Sequence, residues 1–143
     1  MTISRILATK GRDVVTAQPH RTLLEISAIL SATRIGALMI VDANNNVLGI
    51  LSERDIVRAI GERGAHVLDD PASRHMTTEV VTSTEDETLL ETVEKMTRGR
   101  FRHMPILKDG HLEGLISMGD VVKYRLSELE REQSALREYI TTV

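Results

Sequence analysis

Apolar residues recur at helical spacing twice in this chain, over residues 22–33 and again over 87–98. Leu24 and Ala28 mark the first stripe, and Leu89, Val93 and Met96 mark the second; both have acids near their starts. A short extended piece precedes each stripe, Val14–Thr16 and Val80–Thr82. After each comes a compact apolar run, ALMIVD at 37–42 and HMPILK at 103–108, which reads as a buried strand. A polar turn (ANNN at 43–46, KDGH at 108–111) leads into a second run, VLGIL at 47–51 or LEGLI at 112–116. Strand, turn and strand make a hairpin, and a helix is expected to follow each, over 53–60 and 118–130. The order is β-α-β-β-α, written twice.

The residues themselves repeat as well. VVT at 14–16 returns at 80–82 and TLLE at 22–25 returns at 88–91, an offset of 66. Arg34 and Ile40 match Arg100 and Ile106. One deletion at the hairpin turn changes the offset to 65, so that Gly49, Ser52, Asp55 and Val57 match Gly114, Ser117, Asp120 and Val122. Self-similarity in one order with one indel marks a duplicated unit. The fold class expected is α+β, with two pseudo-symmetric repeats packed sheet to sheet, because a three-stranded sheet with helices on one face leaves apolar surface to cover. The division expected is residues 1–64, a linker at 65–75, residues 76–125, and a helical tail at 126–143. Gly61 and Gly64 are placed to end the helix before the linker. In the tail, Leu126, Leu129, Leu136 and Ile140 form one stripe among charges, an amphipathic helix that needs a partner surface. Its own domain or a second copy would serve.

Composition narrows the function. With 143 residues, 41% of them hydrophobic and 27% charged, the chain can build a core without a metal or disulfide staple. No window approaches the ~20 apolar residues of a membrane helix, and the first residues show no secretory signal, so a cytoplasmic location is expected, away from membranes. The absence of cysteine removes thiol catalysis and thiolate zinc sites. A net charge of −3 and an aromatic content of 2% argue against nucleic acid as a partner.

The phrase Gly-x-x-Ser-x-x-Asp, at 49–55 and 114–120, carries the candidate chemistry. Ser-x-x-Asp at a helix start is a capping box worth roughly 1 kcal/mol, which requires no further function. The same geometry suits a nucleotide. A helix N-terminus favours phosphate, a carboxylate in the first turn can accept both ribose hydroxyls, and the glycine would let a ligand approach the strand. Flanking apolar strands would sandwich a flat base. Both readings stand at this point.

Two copies of the phrase, in register with TLLE and with the hairpins of RIGALMIVDANNNVLGILSERD and RFRHMPILKDGHLEGLISMGD, make the chain resemble a tandem pair of CBS domains, a Bateman module, over about residues 1–125. The resemblance implies a non-catalytic regulatory module binding an adenine nucleotide in clefts between the repeats, AMP foremost, with ATP, NAD(H) or S-adenosylmethionine as other ligands and no metal. It would report energy or redox state to an unidentified target protein, as a homodimer. Carried over, Asp55 and Asp120 would hold ribose hydroxyls, with Ser52 and Ser117 at ribose or phosphate. Val15 and Val81 would line the adenine, as would Gly36, Ala37, Arg102 and His103. Arg54 would bind phosphate in the first site, where the second has Gly119, and Lys10 is a further phosphate candidate. A dimerising scaffold whose clefts no longer bind nucleotide is the alternative.

Other signals carry less. Asp42, Asn44, Asn46 and Glu53 fall at calcium-loop spacing, but Val47 stands where that loop needs glycine, so a hairpin turn is expected. His66, Asp69, Asp70 and His75 cluster in the linker, where a solvated loop is the expectation. No nucleophile–base arrangement is present that would suggest an enzyme.

Overall fold

The computed structural model describes residues 2–142. Six helices and five strands follow in the order α1 (Ile3–Lys10), β1 (Thr16–Ala17), α2 (Leu23–Thr33), β2 (Ala37–Val41), β3 (Val47–Ser52), α3 (Glu53–Arg63), α4 (Ala72–His75), α5 (Leu89–Gly99), β4 (His103–Lys108), β5 (His111–Ser117) and α6 (Met118–Thr142). A 3-10 turn, Ala65–Asp69, lies between α3 and α4. The chain divides into two compact units. One contains residues 13–81 and 109–113; the other contains residues 2–12, 82–108 and 114–142.

In the first unit β2 is central, parallel to β1 and antiparallel to β3. All five β2 residues are buried, as a strand covered on both faces requires. Leu23, Ile26, Leu38, Ile40 and Leu51 make the core. At the turn Asp42 accepts from the Asn44 and Asn46 amides, both at 2.9 Å, and Asn45 adopts φ 66°. These contacts make the hairpin bend expected there. The linker is not a solvated loop. Val67 and Ala72 are fully buried in this core, and the Leu23 amide donates to the Asp70 carbonyl at 3.0 Å. Gly61 lies inside α3, which ends instead at Gly64, φ 94°. Asp70 accepts from Arg74 at 3.2 Å and His75 at 2.8 Å. Among the described residues no three metal-ligating side chains cluster.

The second unit repeats the plan with two departures. Its first strand shrinks to a single parallel bridge between Ser83 and Ile106, and Val80–Thr82 is not a strand. The reason lies in the partner strand. In the first unit the Met39 amide donates to the Val15 carbonyl at 3.1 Å, whereas the matching residue of β4 is Pro105, which has no N–H to give. The other departure is α6, which runs unbroken to Thr142, with no glycine or proline after Gly119 to stop it.

Residues 2–12, read from sequence with the first repeat, belong to the second unit. Ile3, Ile6 and Leu7 of α1 are buried with Leu89, Met104, Ile106 and Ile116, and the Ile3 amide donates to the Glu87 carbonyl at 3.0 Å. The linker helix α4 has the matching place in the first unit: Pro71 bridges Thr22 there, as Thr2 bridges Thr88 here. Each unit therefore takes its leading helix from the segment that precedes the other repeat.

Candidate functional site

In the first unit β3 delivers Ser52 to the start of α3. Ser52 accepts from the Asp55 amide at 3.2 Å, and Asp55 Oδ2 accepts from the Ser52 amide at 2.8 Å and from its hydroxyl at 3.0 Å. The capping box read from sequence is formed. Ala37 sits opposite Ser52 in the hairpin register, and the Gly36 carbonyl accepts from the Glu53 amide at 2.8 Å. The start of β2 and the start of α3 are thereby held together. Val15 is half-buried against the core, one residue before β1. Arg54 is exposed on the first turn of α3, its guanidinium without a hydrogen bond or ion pair among the described residues. Oδ1 of Asp55 is likewise uncommitted among them. Capping occupies one carboxylate oxygen and leaves the other able to accept from a hydroxyl, so the cap and a ligand role are compatible.

A groove of about 570 Å³ lies beside this set, lined by Leu30, Arg34, Ile35, Gly36 and Glu53 among others. Ser52, Arg54 and Asp55 are not in its lining.

The second unit repeats the cap with a different outcome. Asp120 Oδ2 accepts from the Ser117 amide at 2.8 Å, and Ser117 Oγ accepts from the Asp120 amide at 3.0 Å. The Arg102 carbonyl accepts from the Met118 amide at 2.8 Å, matching Gly36 and Glu53. The Arg102 side chain is exposed, and His103 is half-buried as the first residue of β4. Lys10, at the end of α1, breaks the symmetry. Its ammonium donates to Asp120 Oδ2 at 2.6 Å and to the Leu115 carbonyl. The sequence placed Lys10 as a phosphate candidate; in this structure it neutralises the second carboxylate. Val81 is exposed, in a segment that clusters with the first unit.

Burial opposes ionisation of Asp120, but the Lys10 hydrogen bond and the Ser117 amide outweigh it and hold the carboxyl below its ordinary value. A native value below the unfolded one means this stabilisation is complete above the ordinary carboxylate value and is lost as pH falls from there through the lowered native value. Lys10→Met is expected to cost at most about 1 kcal/mol near neutral pH, since both partners are partly exposed, and progressively less as pH falls through the lowered native value. Chemical denaturation of both proteins across that range reads the difference.

The glycines of the two phrases have a different use from the one expected. A Cβ on Gly49 would sit 2.7 Å from the Thr77 carbonyl oxygen, and one on Gly114 would sit 2.5 Å from Leu7 Cδ2. The chain's own segments, α4 with its exit in one unit and α1 in the other, make the close approach that was assigned to a ligand.

A family model for the CBS domain matches residues 4–62 and again 72–127. The chain belongs to the CBS-domain family. As a CBS pair it is 34% identical over 122 residues to an uncharacterised 17.7 kDa protein of Acidianus ambivalens, covering 85% of this chain and 71% of that one. A CBS domain-containing protein of Arabidopsis thaliana is 28% identical over 91% of this chain, which spans only 23% of that longer protein. Among solved structures, a CBS-domain containing protein of Agrobacterium tumefaciens superposes with a TM-score of 0.85 at 44% identity, over 87% of this chain and 92% of that one. A CBS domain pair crystallised with 5′-methylthioadenosine and S-adenosyl-L-methionine shares the fold, with a TM-score of 0.77 at 24% identity over 87% of this chain and 98% of that one. Both repeats and the α+β class expected from sequence are thus present. Among the described residues no helix is long and apolar enough to cross a membrane.

Proposed function

We propose that this CBS pair is a non-catalytic regulatory module that binds an adenosine-containing nucleotide and passes its occupancy to a partner protein. The observation that carries the reading is the state of Asp55: one carboxylate oxygen caps α3, the other is uncommitted, and the unpaired Arg54 guanidinium is its chain neighbour. Asp55 would accept the ribose hydroxyls, Ser52 and Arg54 would hold a phosphate, and Val15, Gly36 and Ala37 would face the base. The related fold crystallised with two adenosine compounds supports that ligand class. A phosphate for Arg54 favours an adenine nucleotide such as AMP over S-adenosylmethionine, which carries no phosphate.

In the second unit, Ser117, Asp120, Arg102 and His103 are the corresponding set, but the Lys10 ammonium is already bound to the capping oxygen, Asp120 Oδ2. A ribose at Asp120 Oδ1 would meet a carboxylate whose charge Lys10 already balances. The two sites would therefore differ in affinity, with the first filling at lower concentration. A ligand shifts the module's conformational population only as far as its affinities for the two states differ. The module would act as a homodimer. Leu24 and Leu90, at matching positions, are 56% and 68% exposed, as are Val57 and Val122 at 69% and 51%. The paired apolar patches suit a second copy.

Thermal melting with AMP, ATP, NADH and S-adenosylmethionine tests the reading. A ligand at a hundred times its dissociation constant adds about 2.7 kcal/mol, a shift of several degrees. Asp55→Ala should lose most of the response at low ligand concentration and cost about 1 kcal/mol as a lost cap. Melts indifferent to all four compounds would leave the dimerising scaffold as the better account.

A further inference from the structure

We infer that the C-terminal half of α6 pairs with the same helix of a second copy as a short parallel two-stranded coiled coil. The inference rests on the homodimer reading above and gives that dimer a geometry.

The helix has two faces. Val121 is buried in the second unit's core, and Tyr124 packs against it. Roughly a third of a turn away, Leu126, Leu129, Leu136 and Ile140 are 55%, 40%, 59% and 65% exposed. Every residue from 129 to 142 is exposed. A lone helix of this length with no packed face is marginal in water, so something must cover the stripe.

The spacing says what covers it. Val122, Leu126, Leu129, Gln133, Leu136 and Ile140 follow one another at intervals of four and three, the a/d seam of a coiled coil. Leu126, Gln133 and Ile140 take the a positions; Val122, Leu129 and Leu136 take d. Over the last two heptads, leucine at d (Leu129 and Leu136), isoleucine at a (Ile140) and one polar residue at a (Gln133) suit two parallel strands.

The flanking charges set the direction. Arg125 and Glu132 are at g positions, and Glu130 and Arg137 at e. In a parallel pair each g residue faces the e residue five positions on in the other copy. Arg125 then meets Glu130, and Glu132 meets Arg137, both attractive. The antiparallel register that keeps every seam layer instead puts Glu130 against Glu130, Glu132 against Glu132 and Lys123 against Arg137. Within its own chain Arg125 is 4.0 Å from Glu128 and 3.9 Å from Glu132 while half exposed, so it contributes to either partner's field.

The chain has no cysteine, which makes the test direct. In a parallel pair Gln133→Cys places two thiols in one layer, and mild oxidation should convert most of the protein to a disulfide-linked dimer. Arg131→Cys, on the outer face, should remain monomeric on the same non-reducing gel. Leu129→Lys or Glu132→Arg in the full chain should weaken dimerisation at least tenfold by light scattering, and Glu132→Arg with Arg137→Glu should restore it. Failure of Gln133→Cys to cross-link overturns the inference. So does a preference for mixed disulfides between Leu126→Cys and Leu136→Cys, which would mark an antiparallel pair. A dimer indifferent to Leu129→Lys would keep the homodimer and discard the coiled coil; a monomeric natural chain would discard both. Nucleotide-dependent melting of Leu129→Lys, measured alongside, reads the ligand site independently of either result.

Discussion

Gly49→Val is expected to cost more than about 3 kcal/mol and to lower the melting temperature by roughly ten degrees or more. Gly49 lies in β3, where the chain leaving α4 crosses it. Ile50 and Thr77 exchange two backbone hydrogen bonds, at 3.0 and 2.9 Å, and this pairing brings the Thr77 carbonyl oxygen to 2.7 Å from any Cβ at position 49. The Met76 sulfur would lie at 2.8 Å. A thioether can swing aside, but a paired carbonyl cannot move without breaking the bonds that hold it. The branched side chain therefore forces β3 and the 76–77 segment apart, three residues before Ser52. Disturbing that strand should also misplace the cap that Ser52 shares with Asp55, so nucleotide response and stability are expected to fall together. Gly61→Ala makes the control: nothing lies within 4 Å of its Cβ, and helix propensity predicts a gain of roughly 0.5–1 kcal/mol. Thermal melts of the two variants should move in opposite directions. A Gly49→Val protein as stable as the natural chain would mean that Thr77 does not pair with β3 in solution.

The hairpins, both capping boxes and the paired aspartates were legible because each depends on residues close in sequence, and the duplication because the same residues recur in the same order. Thr22 to Glu25, Ser52 to Asp55 and Ser117 to Asp120 are local hydrogen bonds, and periodicity finds the helices they start. What sequence did not show is non-local. Leu7 and Ile3 look like the apolar face of any short helix, and nothing near them says that Gly114 and Glu87, more than eighty positions away, receive them. The contact of Lys10 with Asp120 is hidden for the same reason, although both residues were singled out. Two signals of the non-local structure do lie in the sequence. Pro105 in the middle of HMPILK already ruled out one ladder bond of the strand expected at Val80–Thr82. The 71–76 segment, PASRHM, repeats the place of the first residues at an offset that the main alignment of the repeats does not share, so it read as linker.

The seat of Leu7 on Gly114 predicts non-additive energetics. Leu7 is 1% exposed in the second core. Leu7→Ala alone should cost about 3 kcal/mol, the transfer of a leucine side chain plus the cavity left behind. Gly114→Ala alone puts a methyl 2.5 Å from Leu7 Cδ2, overpacking worth roughly 1–3 kcal/mol. Together the two changes should cost less than their sum by at least about 1 kcal/mol, because the new methyl enters the space that Leu7 vacates. Denaturant melts of the four proteins complete the cycle. A coupling near zero would mean that α1 does not rest on β5, and the same result would remove the Lys10 contact with Asp120, since α1 is the element that brings Lys10 there. Coupling of the expected sign ties the second carboxylate's environment to α1, so that displacing α1 should raise the nucleotide affinity proposed for Asp120 even as it lowers stability.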